Sequence, residues 1–197
     1  MIKCNFDLPF YFTTDVNGSA YGEYIVRDNV DYLVYYTIGT GIGAGIVQDG
    51  NIISGISHPE AGHTHMQFHQ LDIDNSFNGV CPFHKGCFEG MAAGPSLEAR
   101  TGIKGENISF DSDVWDIQAF YIAQSAVQAT LMYRPQVIVY GGGVMGQKHM
   151  LNRVRKQFVE LLNGYVEVPA IEDYIVTPAV PENGSATVGN FALAKTL

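Results

Sequence analysis

The sequence predicts an α/β fold, because short β-branched and aromatic runs come first and then alternate with helical segments. The first runs are LVYYTIG, GAGIVQ and NIISG, which form two consecutive hairpins. Asp49–Gly50 supplies the turn between the second and third runs, a pair typical of tight hairpins. This pattern predicts a β-meander followed by helices and strands in alternation.

Pro135 ends the main helical pattern, because proline cannot continue a helix. Residues 58–90 are rich in His, Gly and Cys without a clear period, and are therefore interpreted as a loop-rich insertion. The predicted elements outside the meander are a weak helix over 16–26, a helix over 111–133, a strand over 136–140, a helix over about 149–162, a strand near 174–180 and a helix from about 186.

The composition of the 197-residue chain, with 46% hydrophobic residues, is enough for one large domain or two small ones. No apolar run approaches the roughly 18–20 residues of a membrane span, and residues 1–15 lack the apolar core of a signal peptide. We therefore expect a cytoplasmic protein without a membrane partner. The net charge of −9 argues against a nucleic-acid partner, because no basic face can displace counterions.

The stretch TIGTGIGAGIVQDG has four glycines within Gly39–Gly45. These glycines either permit a tight hairpin or leave backbone N–H groups open to a phosphate, with the hydroxyls of Thr37 and Thr40 beside them. A strand follows and no Lys-Ser/Thr pair is present, so neither a Walker loop nor a dinucleotide fingerprint is indicated. The pattern favours a phosphate cradle.

A second glycine-rich turn, YGGGVM at residues 140–145, follows the predicted strand QVIVY. Such turns at the carboxyl ends of strands are where α/β proteins place ligands. The turn either connects the strand to a helix or holds a nucleotide along its bare backbone, and the second interpretation is favoured.

Asp15, in the stretch TTDVN, is either the N-cap of the weak helix or a functional carboxylate. A helix N-terminus favours the ionised form of a carboxylate. An ionised carboxylate is what a general base needs before it accepts a proton from a hydroxyl.

The segment CPFHKGC places two of the three cysteines of the chain in a C-x2-H-x2-C motif. A redox pair is normally C-x-x-C, and three cysteines favour a metal or free thiols over a disulfide framework. HPEAGH supplies a histidine 18 residues upstream, with His65 and His69 as competitors. Four such ligands complete a closed, structural zinc site. The favoured ligands are His63, Cys81, His84 and Cys87.

The motifs TDVNGSAYGE, GTGIGAGIVQDG, HPEAGH, CPFHKGCFEG and GGGVM, in this order, resemble the ROK family of sugar kinases and repressors, and its bacterial fructokinase branch most closely. The resemblance implies the ribonuclease H-like fold of actin and hexokinase. It assigns residues 1–31 to the end of the N-terminal lobe, with the catalytic aspartate. Residues 32–197 are then the C-terminal lobe, with a zinc-binding insertion over about 58–90.

The resemblance also implies roles for single residues. Asp15 is the base that deprotonates a sugar hydroxyl, and the cofactors are structural Zn²⁺ and Mg²⁺ with ATP. The implied sugar ligands are Asn17, Glu60, His63 and Glu89. The implied ATP-site residues are Thr37, Ala92, Gly141, Gly142, Gly143, Val144 and Met145.

Thr14 before the aspartate and His84 within the cluster depart from the family's glucose enzymes, and both favour fructose as the substrate. The family's Asp-Gly-Gly-Thr-Lys phosphate loop is not found in the sequence, so we expect weak or no turnover by this chain alone, with an unpaired sheet edge and a homodimer. The alternatives are a sugar-responsive regulator without catalysis and a decayed family member.

Overall fold

A five-stranded sheet in the order β3-β2-β1-β4-β5 organises the chain, and the computed structural model describes residues 9–196. β1 pairs antiparallel with β2 and parallel with β4, which confirms the predicted meander and the α/β class. The strands are β1 Tyr32–Ile38, β2 Ile42–Gln48, β3 Asn51–Ile52, β4 Val137–Gly141 and β5 Ile175–Val176.

Helices cover both faces of the sheet. Short 3₁₀ turns lie at Ala61–His63 and Gly105–Asn107. Within residues 9–196, no helix combines the length and apolar content that crossing a membrane requires. The helices are α1 Asp15–Val26, α2 Gln70–Asp74, α3 Phe88–Ala92, α4 Gly94–Thr101, α5 Val114–Tyr133, α6 Met150–Leu162, α7 Ile171–Tyr174 and α8 Gly184–Ala194.

The alternation of side chains along β1 separates two cores. Leu33 and Tyr35 pack with Val16 and Ala20 of α1 on one face of the sheet. Val34, Tyr36 and Ile38 point to the opposite face, where α5 and α6 cover the larger core. The described part of the segment assigned to the N-terminal lobe therefore shares a core with the rest of the sheet.

α1 and α8 pack with their backbones in close contact. A Cβ atom on Gly22 would lie 1.8 Å from the carbonyl oxygen of Ser185, and one on Gly189 would lie 1.8 Å from the carbonyl oxygen of Gly18. Only glycine fits at these positions, since any larger residue would force the helices apart.

Several predicted elements are confirmed and others are wrong in extent. Asp49 and Gly50 have φ values of 49° and 74°, as the predicted hairpin turn requires. The predicted strand at 51–55 pairs only over Asn51–Ile52, and the one at 174–180 only over Ile175–Val176. In the second case proline at 178 and 181 cannot donate to a neighbouring strand.

The weak helix predicted after Asp15 is a full helix, but Thr14 is its N-cap, and Asp15 is its first residue. α4 was not predicted, although its signals are in the sequence. Pro95 stands in its first turn and Gly102, with a φ of 71°, follows its end.

Candidate functional site

Three elements that carry candidate functional residues pack against the start of β2. The Glu89 carboxylate accepts a hydrogen bond from the Ile42 N–H at 2.9 Å. The 3₁₀ turn that ends at His63 packs against the same residue, since a Cβ on Gly62 would lie 2.1 Å from the Ile42 carbonyl oxygen. On the other face of β2, the residue after Asp15 packs against Gly43. The start of this strand therefore brings the elements that carry Asp15, His63 and Glu89 together.

Asp15 is exposed at the N-terminus of α1, where the helix dipole favours negative charge. The Thr14 hydroxyl accepts from the Asn17 N–H at 3.2 Å and caps the helix, so the position of Asp15 is well defined. One carboxylate oxygen of Asp15 accepts from the Val16 N–H at 2.9 Å. The carboxylate is thus accessible and held at a helix end, as a general base needs to be.

Asn17 is only 4% exposed, and its amide Nδ2 donates to the Thr13 hydroxyl at 3.1 Å. Its Oδ1 is buried and has no hydrogen-bond partner among residues 9–196. Buried acceptors without a partner are costly in folded proteins. This oxygen is therefore suited to accept a hydrogen bond from a ligand hydroxyl.

Glu60 lies just before the 3₁₀ turn, and its carbonyl oxygen accepts from the His63 N–H at 2.9 Å. Its side chain is 67% exposed, and its carboxylate lies 3.0 Å from His58 Nε2. The structure thus places Glu60 on the same short segment as His63, with a side chain that remains accessible.

A compact cluster of two histidines and two cysteines joins this turn to the start of α3. Cys87 Sγ lies 3.5 Å from His63 Nδ1, and Cys81 Sγ lies 3.8 Å from it. His84 Nδ1 lies 3.9 Å from Cys81 Sγ, and all four ligand atoms lie within 4.8 Å of one another. Tetrahedral zinc with ordinary Zn–S and Zn–N bonds separates its ligand atoms by roughly 3.3–3.8 Å. The four residues fit such an ion.

The two cysteine sulfurs of the cluster differ in how readily they ionise. Burial works against ionisation of Cys81, but backbone N–H groups of His84 and Phe83 donate to its sulfur, and its pKa lies below its ordinary value. Burial raises the pKa of Cys87 instead. The competing His69 is engaged elsewhere, because its Nδ1 accepts from the Leu71 N–H at 3.2 Å and caps α2. Thiolates bind metals, so the lowered pKa at Cys81 favours binding.

A cleft of about 850 Å³ opens beside the carboxyl ends of β1 and β4. Most of the residues that were predicted from the sequence to bind ATP line this cleft. Lys148 and residues of the segment from Thr177 to Ser185 also line it. The predicted residues on its wall are Thr37, Gly141, Gly142, Gly143 and Met145.

A second cleft of about 560 Å³ adjoins the first one at Gly39, Gly143 and Gln147. Thr40 and Val144 lie on its wall, as do the charged side chains at 98, 104 and 106. The two glycine-rich turns thus meet where the two clefts adjoin. This arrangement leaves bare backbone exposed to a long ligand that extends from one cleft into the other.

Ala92 lies on neither cleft. It is fully buried, and its carbonyl oxygen accepts from the amide of Gln118. Gly94 and Pro95, two and three residues further along, line the second cleft instead. Neither residue was predicted as part of the site because α4 was not predicted, although Pro95 marks the start of that helix.

The four glycines of the first turn have different neighbours, and none has a φ in the left-handed region. A Cβ on Gly39 would have no atom within 4 Å among the described residues. One on Gly41 would lie 2.9 Å from Glu89 Oε2, and one on Gly45 would lie 2.7 Å from the Val16 carbonyl oxygen. Only the start of the stretch therefore faces the clefts, whereas Gly45 allows α1 to pack on β2.

The sheet order, the helix that carries Asp15 and the paired clefts define an α/β protein with the ATPase fold of actin and hexokinase. The ROK hexokinase from Thermus thermophilus has this fold with a TM-score of 0.73 at 22% identity, over 93% of this chain and 65% of that one. The chain belongs to the ROK family, whose sequence model matches residues 1–197.

Two curated relatives are similar over nearly the whole chain. The fructokinase of Streptococcus mutans is 68% identical over 99% of this chain, and that of Lactococcus lactis subsp. cremoris is 53% identical over 100%. In each case the match covers 67% of the relative, so this chain spans about two thirds of the length of either protein.

Proposed function

We propose that the protein is an ATP-dependent fructokinase that forms fructose 6-phosphate. The observation that carries this proposal is that the elements bearing Asp15, His63 and Glu89 all pack against the start of β2, next to the hairpin turn at Gly39 that lines both clefts. The identity of 68% to a fructokinase supports fructose as the sugar.

In this mechanism Asp15 accepts the proton of the sugar hydroxyl, and the oxygen then bonds to the terminal phosphorus of ATP while ADP leaves. Asn17 accepts a hydrogen bond from another hydroxyl through its unpartnered Oδ1. Glu89 keeps one oxygen on the Ile42 N–H and offers the other to the sugar, and Glu60 and His63 complete its binding. Phosphoryl transfer depends mainly on such positioning.

ATP would lie along the backbone of Gly39 and of the loop from Gly141 to Met145, with Thr37 beside it. The net charge of −9 leaves few cations to balance the phosphates, and Lys148 is one on the wall of the first cleft. Mg²⁺ bound to the phosphates would supply the remaining charge neutralisation. The partners are thus a small sugar and ATP, and a cytoplasmic homodimer stays a prediction.

Zinc bound by His63, Cys81, His84 and Cys87 would have a structural role, because four protein ligands leave no position open for a substrate. Cys87 is the N-cap of α3, whose second residue is Glu89. His63 follows Glu60 by three residues. The ion would therefore hold the two segments that carry the sugar-binding carboxylates in a constant relation.

The test uses a fusion protein in which this chain is joined to the part of the Streptococcus mutans fructokinase that lies outside the matched region. We expect ADP release with a higher kcat/KM for fructose than for glucose. Asp15→Asn should lower kcat by roughly 10²–10⁴-fold, the usual contribution of a general base, and leave fructose binding nearly unchanged.

Asp28→Asn is the matched control, since residue 28 follows the end of α1 and lies outside the site. It should keep the activity of the unmodified protein. A preference for glucose would contradict the substrate assignment, and full activity in Asp15→Asn would contradict the role of the base.

A further inference from the structure

Glu23 is a fully buried carboxylate that the mechanism above does not use. It lies on α1, eight residues after Asp15, which is about 12 Å along the helix. Burying an ionised carboxylate is costly unless cations and hydrogen-bond donors surround it. The contacts of this side chain therefore need an explanation.

Every hydrogen-bond partner of Glu23 in the described part of the chain is a donor. Arg27, the C-cap residue of α1, places its guanidinium 2.7 Å from Oε2. The Ala179 N–H donates to both carboxylate oxygens, at 3.0 and 3.1 Å. The Ser185 hydroxyl also donates to Oε1. Charge-assisted hydrogen bonds of this kind are stronger than neutral ones and fix the groups that they join.

One of these partners lines the first cleft, and a second lies within the segment that forms its wall. That wall includes the segment from Thr177 to Ser185, in which Ser185 is a lining residue and Ala179 lies between the lining residues Pro178 and Val180. Arg27 adds a third connection, because its Nη2 donates to the carbonyl oxygen of Thr177 at 3.1 Å. Helix α1 is thus bonded at three points to one side of the cleft.

The backbone contact between α1 and α8 makes this connection stiff. Gly22, next to Glu23, packs directly against the carbonyl of Ser185, and Gly18 packs against Gly189. Close-packed interiors transmit small displacements instead of absorbing them. A shift of the 177–185 segment would therefore move α1 as a body, together with its N-terminus.

We propose that Glu23 is a positioning residue that couples the 177–185 wall of the first cleft to α1, so that a nucleotide in this cleft stabilises the helix that carries Asp15. The inference rests on the proposed function in taking the ligand of this cleft to be a nucleotide. Nucleotide binding would reduce the motion of the 177–185 segment. Through the hydrogen bonds of Glu23, it would also reduce the motion of α1 and of Asp15 at its N-terminus.

The experiment compares hydrogen exchange of the α1 amides, residues 15–26, with and without MgATP in the 197-residue chain. Calorimetric titration on the same samples measures MgATP binding. In the unmodified chain we expect MgATP to slow exchange in α1 severalfold. Glu23→Gln keeps the size and one acceptor oxygen, but it loses the charge and replaces the other oxygen with an NH2 group that cannot accept from these donors. It should therefore still bind MgATP while the slowing in α1 is lost.

If Glu23 has a purely structural role, α1 amides should exchange faster in Glu23→Gln than in the unmodified chain, by the same factor with and without MgATP. MgATP would then still slow exchange in the variant. Glu160→Gln, on the exposed surface of α6, is the matched control and should behave as the unmodified chain. If Glu23→Gln does not fold, as judged by circular dichroism, Ser185→Ala tests the same link by removing one donor.

The outcomes separate the two proposals. MgATP binding without slower exchange in α1, or equal slowing in Glu23→Gln, overturns the coupling and leaves the proposed function intact. Absence of MgATP binding to the unmodified chain overturns the coupling, whereas ADP release by the fusion protein decides the proposed function separately.

Discussion

Single side chains around the start of β2 differ in how much of their hydrogen-bonding capacity the protein already uses. Glu89 commits one oxygen to the Ile42 N–H, whereas Asn17 commits its Nδ2 to Thr13 and leaves Oδ1 buried without a partner among the described residues. Unused capacity is costly in a folded chain unless a ligand or water satisfies it. The unpartnered Oδ1 of Asn17 is therefore the acceptor that the proposed mechanism assigns to a sugar hydroxyl.

His149 is a second residue with unused capacity, since both of its ring nitrogens are buried and have no hydrogen-bond partner within residues 9–196. Its ring packs edge-on against Trp115, with centroids 5.0 Å apart. Burial lowers the pKa of His149 below its ordinary value of 6.5, and Arg153 adds to the effect while Asp116 opposes it. The folded chain therefore favours the neutral ring.

A histidine with a lowered pKa makes stability depend on pH in a defined direction. Below about pH 6.5 the unfolded chain binds a proton at this residue more readily than the folded chain, so stability falls as the pH falls. We expect His149→Phe, which keeps an aromatic ring beside Trp115, to lose part of this decrease.

The measurement is the thermal unfolding midpoint at about pH 7.5 and about pH 5.5 with zinc present. His58→Gln, at an exposed histidine, serves as control and should retain the decrease. An equal decrease in His149→Phe and the unmodified chain would show that His149 does not contribute.

At the scale of elements, glycines determine how closely α1 can lie on its neighbours. Gly45 in β2 faces Val16 and Ala20, and Gly22 faces the backbone at Ser185. The same β-hairpin carries Gly39 at its turn, where the backbone is open to both clefts. One glycine-rich stretch thus combines a packing role with a binding role.

The two roles can be separated by the same substitution at two positions. Gly45→Ala should destabilise the chain by about 1–3 kcal/mol, because the new methyl group would overlap the backbone of α1. Gly39→Ala has open space and an ordinary φ, so the unfolding midpoint should not change, while MgATP binding weakens. Thermal unfolding and calorimetric titration measure both effects.

Each variant is the control for the other. A large loss of stability in Gly39→Ala would assign that glycine to the fold instead of to a phosphate. Unchanged stability in Gly45→Ala would mean that α1 can move away from β2 at little cost.

At the scale of the whole molecule, the candidate zinc cluster joins chain segments that are far apart in the sequence. His63 and Cys87 are 24 residues apart, and the segment between them contains only one short helix, α2. The remaining attachments of this insertion include the buried pair of Asp72 with Arg100 at 2.8 Å. A metal ion in the cluster would add a second strong attachment, so that its removal should affect the stability of the whole chain.

Protein purified without a chelator should contain about one zinc ion per chain, the number that a single four-ligand cluster binds. Cys81→Ser should lose the ion and unfold at a lower temperature, as should the unmodified chain after chelation. His65→Ala, at a neighbouring histidine outside the cluster, should keep the ion. Elemental analysis and thermal unfolding test this, and full occupancy in Cys81→Ser would remove the assignment.

The proposed boundary between lobes at residue 31 stays a prediction. It falls in the connection between α1 and β1, which pack on each other in the described part of the chain. The α/β class and the actin and hexokinase type of fold follow from the sheet and its structural relatives.

The sequence by itself determined the features that depend on neighbouring residues. The hairpin at Asp49–Gly50, the end of α5 before Pro135 and the C-x2-H-x2-C spacing follow from local backbone preferences and short-range geometry. The order of these motifs was also enough for the family, because an ordered combination is far more specific than any single motif.

Only the tertiary structure decided what depends on contacts between distant segments. In the folded chain His63, and not His69, lies in the cluster with the two cysteines. Ala92 is buried away from both clefts, and Gly45 packs against α1. Glu23 lies 156 and 162 residues from its partners on the cleft wall. No local pattern encodes such pairs, because the sheet and the packing of α1 on α8 bring them together only when the whole chain folds.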